Sequence, residues 1–151
     1  MLKKYLTAIL VFVLLAGGGC VVAPKKVTLT NGFFAWVSII RLIANPGEYD
    51  GQNVQVEGYF IYERQGTSDL GYLFLDQTSY TYQITKNALA VKIPNNLFDT
   101  ADKLDGKYVI LNGVFDRNYL GPWSLYAAGV TVHDLWPIVE RGAPRPVPKT
   151  E

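Results

Sequence analysis

Two stretches decide the fold. Tyr49–Phe60 reads YDGQNVQVEGYF, and Leu104–Phe115 reads LDGKYVILNGVF. Both follow one pattern: apolar-Asp-Gly-polar-x-Val-x-apolar-x-Gly-x-Phe. Asp-Gly makes a turn, because Gly takes a positive φ at no steric cost. The residues after each turn alternate as a half-buried strand does. The inner glycines, Gly58 and Gly113, mark a bulge or sharp bend in their strands. Two copies are too few for a solenoid. The repeat therefore points to a small sheet that curves.

Outward from these copies, further strands are legible. The first copy extends over Asn53–Arg64, with Val54, Val56, Phe60 and Tyr62 on one face. Gly71–Asp76 (GYLFLD) is apolar on both faces, as a buried strand is. Ala88–Ile93 (ALAVKI) is strand-like and ends at Pro94. Lys107–Phe115 brings Val109, Leu111 and Phe115 together, and Ser124–Asp134 brings together Tyr126, Ala128, Val130 and Val132. A short helix follows an N-cap at Ser38, with Ile39, Leu42 and Ile43 as its apolar face and Asn45-Pro46 as its stop. Asn96 caps a second helix over Leu97–Lys103. Tyr80 and Tyr82 read as one side of a long hairpin.

Five strands with a helix between the third and fourth resemble the OB-fold, a small five-stranded Greek-key barrel. Ser38–Phe60 (SIIRLIANPGEYDGQNVQVEGYF) is similar to a group of poorly characterised bacterial exported proteins with OB-like domains. That resemblance implies an all-β domain with one or two short helices, and it carries no chemistry. The rival, an immunoglobulin-like sandwich, needs about seven strands.

The beginning of the chain concerns address rather than fold. Lys3 and Lys4 precede an uncharged apolar run from Leu6 to Ala16, then three glycines, then Cys20. Basic start, short apolar run and small residues are the parts of an export signal. The arrangement resembles a bacterial lipoprotein signal, which implies that Cys20 becomes the lipidated first residue; Gly17 stands where that pattern prefers Leu. An uncleaved anchor over Tyr5–Ala23 and simple secretion remain open alternatives. The resulting division is a signal over residues 1–19, a tether over 20–35, a domain over 36–139 and a Pro-rich tail over 140–151. Localisation follows as the bacterial cell envelope, held at the membrane by lipid and facing the periplasm or the exterior.

Composition narrows the function. The chain has 151 residues, 14 Lys+Arg, 13 Asp+Glu, one His and one Cys. A single Cys excludes an internal disulfide framework. Without residues 1–19 the balance is 12 basic against 13 acidic. A near-neutral domain has no electrostatic hold on nucleic acid. There is no G-x-S-x-G and no S-x-x-K. His133, the one imidazole, reads as a surface residue on the face opposite Val130 and Val132. Asp99, Asp102 and Asp105 fail the spacing of a calcium loop and read as a solvated helix end. The expectation is therefore no catalytic residue, no metal and no cofactor.

The remaining feature is an aromatic loop, Asp116–Trp123 (DRNYLGPW). Arg117 and Asn118 offer hydrogen-bond donors, and Tyr119 and Trp123 offer ring faces. These four are the candidate ligand-binding residues. The corresponding loop and the first hairpin loop meet ligands in OB-folds. The sequence thus reads as a lipid-anchored envelope module that binds a protein partner, or alternatively a glycan stacked on Tyr119 and Trp123. An uncharacterised hydrolase using aspartates is a third reading.

Overall fold

The computed structural model describes residues 33–65 and 68–138. The expected signal, the lipid-bearing Cys20, residues 20–32 of the tether and the Pro-rich tail lie outside the described residues. The protein is mostly β, with a few short helices. The elements run β1 (Ala35–Trp36), α1 (Ile39–Ala44), α2 (Pro46–Tyr49), β2 (Asn53–Gln65), β3 (Ser68–Phe74), α3 (Gln77–Thr81), β4 (Ala88–Lys92), α4 (Phe98–Leu104), β5 (Lys107–Asp116) and β6 (Ala128–Pro137).

The strands pair in the order β1-β2-β3-β4-β6-β5, and β5 pairs back onto β2. Five strands therefore close a ring, with β4 and β6 parallel and the other ring neighbours antiparallel. The two-residue β1, which sequence reading missed, lies parallel to β2 on the edge away from β5. It takes in Ala35, the last residue assigned to the tether.

Alternation sorts the side chains. Phe60, Leu73, Leu89, Val91, Leu111 and Phe115 are buried together inside the ring, closed over by Ile39 and Leu42 of α1 and by Leu104 of α4. The opposite face of β2, β3 and β4 builds a second cluster from Tyr59, Ile61, Tyr72, Phe74 and Ala90. Burial on both faces is why GYLFLD carries no polar alternation.

The sequence repeat becomes a local twofold. β2 and β5 pair with each other, Val56 opposite Leu111, Gly58 opposite Val109 and Val54 opposite Gly113. Each copy clasps the end of the other. Gly51 N–H donates to Phe115 O and Gly106 N–H donates to Phe60 O, both at 2.9 Å. The Asp50 carboxylate accepts from Arg117 N–H at 3.2 Å, and Asp105 accepts from Tyr62 N–H at 2.8 Å. Gly51 and Gly106 sit at φ 72° and 69°, the left-handed region their turns require. Gly58 and Gly113 act otherwise: neither has a positive φ. A Cβ on Gly58 would collide with the Phe74 carbonyl, and one on Gly113 with the Thr131 carbonyl. Close approach of a neighbouring strand, more than backbone freedom, is what excludes a side chain at both. The β5–β6 register shifts at Asn112/Gly113, so a bulge accompanies only the second glycine.

Several boundaries differ from the sequence reading. Ser38 does cap α1, accepting from Arg41 N–H at 3.3 Å. Pro46 ends that helix and then opens α2, since a missing N–H costs nothing at the first helical position. Asn96 is no cap: residues Asn95–Leu97 wind as a 3₁₀ turn after Pro94, and α4 starts at Phe98. The Tyr80 segment is a helix, α3, because Asp76 accepts from Ser79 N–H at 2.6 Å and nucleates it. The last strand starts at Ala128, four residues later than its sequence suggested. Trp123 and Ser124 hold φ of 52° and 56°, which bars extended backbone there. Tyr126 accordingly joins the outer cluster rather than the interior.

Candidate functional site

The four loop residues expected to bind ligand separate in space. Arg117 turns back to Asp50, its Nε 3.3 Å from Oδ2, and both side chains stay partly exposed. Asn118 is exposed, and its N–H donates to the Asp116 carboxylate at 2.8 Å. Tyr119 is half-buried and packs on the outer cluster, its ring against Gly129. Trp123 is 87% exposed and belongs to neither cluster. Its loop is held by Tyr126 N–H to Leu120 O at 3.2 Å and by Lys86 Nζ to Ser124 O at 3.4 Å. Tyr119 thus secures the loop while Trp123 is displayed by it.

Beneath this loop the outer face is filled by the chain's own tyrosines. Tyr72 and Tyr126 stack with centroids 4.6 Å apart at 14°. Burial pushes the Tyr126 hydroxyl well above the usual phenol range, with Tyr72 and Glu63 adding to the effect. Burial first and the Glu63 charge second raise Tyr72, and burial alone raises Tyr119. These phenols stay neutral at physiological pH and offer hydrogen bonds without charge.

The other titratable candidates fall apart as a chemical site. His133 is exposed, with the Phe34 ring tilted 6.4 Å from it. Asp105 serves the clasp on Tyr62. Among the described residues, no three His, Cys, Asp or Glu side chains gather as metal ligands. No described helix is long and apolar enough to cross a membrane.

A cleft of about 680 Å³ opens where α1, the middle of β2, the start of β5 and the end of β6 meet. Ile39, Tyr59, Leu75, Tyr108 and Ile138 give it apolar walls, and Glu57, Gln77 and Lys107 give it polar groups of both signs. Tyr108 is 43% exposed and meets Tyr59 edge-on at 5.3 Å. Its hydroxyl accepts from Gln77 N–H at 3.2 Å, joining the first turn of α3 to β5. Sequence reading missed this cleft because its residues come from five separate segments. One signal was available: Val109 and Leu111 point inward, so Tyr108 puts an aromatic ring on the outward face of its strand.

No family model and no curated protein matches the chain. Among solved structures, it is similar to OBody AM3L09 bound to hen egg-white lysozyme, at 15% identity over 74% of this chain and 97% of that one, with a TM-score of 0.49. It is also similar to asparaginyl-tRNA synthetase from Pyrococcus horikoshii complexed with asparaginyl-adenylate, at 23% identity over 60% of this chain, TM-score 0.44. The matched region spans 20% of that synthetase chain.

Proposed function

We propose that the ring is an OB-like Greek-key barrel and that the chain is a non-enzymatic binding module, held to the bacterial cell envelope by lipid on Cys20, whose partner is a protein. The barrel reading is supported by the ring order and by the parallel β4–β6 pair. The anchor reading is supported by the basic start, the apolar run and the lone Cys20 after three glycines. The observation that carries the binding reading is the cleft of about 680 Å³, with apolar walls and both signs of charge. Mixed apolar and polar lining of that size suits a peptide surface better than a polyanion.

A second reading keeps the glycan. Trp123, 87% exposed on a held loop, is a stacking platform for a sugar ring. Photo-crosslinking in intact cells tests both, with benzoylphenylalanine at position 108 or 123. The protein reading expects one discrete protein adduct from position 108. Co-sedimentation with purified cell-wall glycan, lost in Trp123→Ala, would favour the sugar instead. Cys20→Ser should release the domain from membranes or leave a larger precursor. Unchanged fractionation and mass would refute the anchor.

A further inference from the structure

β2 has two edges, and one of them is interrupted. Toward β5 the pairing is continuous from Asn53 to Phe60. On the other edge, β1 accompanies β2 as far as Gln55. β3 joins that same edge only from Tyr59, opposite Phe74. Among the described residues, no strand stands beside residues 56–58 there.

The direction of the backbone in this gap follows from its ends. The Gln55 carbonyl points to that edge, because Val37 N–H donates to it at 2.9 Å. Backbone groups alternate sides along a strand, so Glu57 presents its N–H and C=O to the same edge. Val56 and Gly58 present theirs to β5. The interruption thus leaves one donor and one acceptor on Glu57 set as a strand would use them. Both flanks of the gap, Ser38 after β1 and Leu75 after β3, line the cleft, and so do Glu57 and Gly58. The gap therefore opens into the cleft.

We propose that the cleft takes an extended segment of a partner protein, which fills the gap and pairs its backbone with Glu57. This deepens the protein-binding reading above and rests on it. Main-chain pairing supplies affinity in such strand addition, and alternate side chains supply specificity. An extended peptide presents a C=O and an N–H together on one edge, the complement of the Glu57 pair. An acyl chain has neither group, and sugar hydroxyls, which both donate and accept, are separated by the glycan arm of the test. One inward side chain of the segment meets the Tyr59 and Tyr108 rings and Ile138. Its neighbours along the segment lie near Glu57 and Lys107, so a segment carrying both charge signs is favoured. The gap is short, so the pairing is local and the cleft contacts decide the partner.

The test uses the full chain. In the free protein, amide hydrogen exchange at Glu57 should be at least tenfold faster than at Val56 and Gly58. Slow exchange there would mean that the gap is closed, and would overturn the proposal. Twelve-residue peptides are then selected from a random phage library and synthesised. Bound peptide should slow Glu57 exchange at least tenfold. N-methylation should abolish binding at the one peptide amide that donates to the Glu57 carbonyl and spare the others. Tyr108→Ala and Ile138→Ser, each checked for an unchanged fold by amide spectra, should each weaken binding at least tenfold. Selected peptides indifferent to both variants, or indifferent to methylation at every position, would overturn strand addition. So would cell-wall glycan fragments or decanoate that occupy the cleft when no selected peptide does. Membrane fractionation of Cys20→Ser reads the anchor alone, so its failure leaves these outcomes intact.

Discussion

The two copies of the Asp-Gly strand motif share a sequence pattern and a pairing partner, each other, yet they end in different surroundings. In the second copy, Leu111–Gly113 lie between β2 and β6, and the β6 edge is continuous apart from the shift at Asn112/Gly113. In the first copy the equivalent residues, Val56–Gly58, lie between β5 and a gap. The clasps differ too. Asp105 accepts from Tyr62 N–H in a part-buried position, whereas the equivalent Asp50 accepts from Arg117 N–H at an exposed one and also pairs with the guanidinium. A repeated sequence thus fixes the ribbon it builds with itself. The third strand beside each copy makes the difference: β6 runs along the second, whereas beside Val56–Gly58 of the first no described strand stands on that edge.

The largest expected effects lie at the paired glycines. Gly113→Val should cost about 4 kcal/mol and Gly58→Val about 2, because a Cβ at Gly113 meets two backbone atoms of Thr131, whereas at Gly58 it meets one, the Phe74 carbonyl, and two side chains that can shift. Urea unfolding measures both, and equal losses would erase the distinction. Next come the clasps. Asp105→Ala should cost about 2 kcal/mol through an unsatisfied part-buried N–H. Asp50→Ala should cost about 0.5 kcal/mol, as an exposed pair does. A larger loss at Asp50 would reverse the ranking of the two halves.

The copies also lead into different loops, and smaller effects test that. Tyr119→Ala should lower stability by about 2 kcal/mol, since it removes packing on the outer cluster. Trp123→Ala should move it by less than about 0.5 kcal/mol, the ring being exposed. A melting curve of each variant checks the pair, and loss of fold in Trp123→Ala would make that ring structural.

The smallest effect concerns alkaline pH. The folded Tyr126 hydroxyl is raised above its unfolded value, so the folded state holds that proton longer. Its contribution is complete below the ordinary phenol range near pH 10 and is lost as pH rises beyond it. Urea midpoints measured upward from pH 9 should therefore fall, and Tyr126→Phe should flatten the fall. A midpoint that rises with pH would contradict the burial.

Much of the architecture was legible in the sequence. Val54, Val56, Phe60 and Tyr62 do share the inner face, and so do Val109, Leu111 and Phe115. Both results rest on period-two alternation, which is local. The failures are local rules overruled by neighbours. Asn96 has a capping side chain, but Pro94 sets a 3₁₀ turn that moves the helix start past it. Tyr80 and Tyr82 have strand-like composition, but the Asp76 cap starts a helix that takes in Tyr80 and has Tyr82 as its C-cap. The aromatic loop reads as one unit in the sequence, but its four candidate residues separate in space. Its division into a packed Tyr119 and an exposed Trp123 depends on Gly129, which belongs to another strand.

The sequence by itself determined the turns, the alternating faces and the symmetry of the central ribbon. Each of these depends on φ preferences and side-chain order over a dozen residues, and those travel with the chain. Only the tertiary structure decided which strand stands third beside each copy, and therefore where the sheet edge stays open. β1 ends at Trp36 because Ser38 starts a helix, and β3 ends at Phe74 before the turn that Asp76 caps. Each stop is local, but the gap at Glu57 exists only because the two stops face the same edge of β2. Register between strands far apart in sequence places them there, and register is set by burial of whole faces.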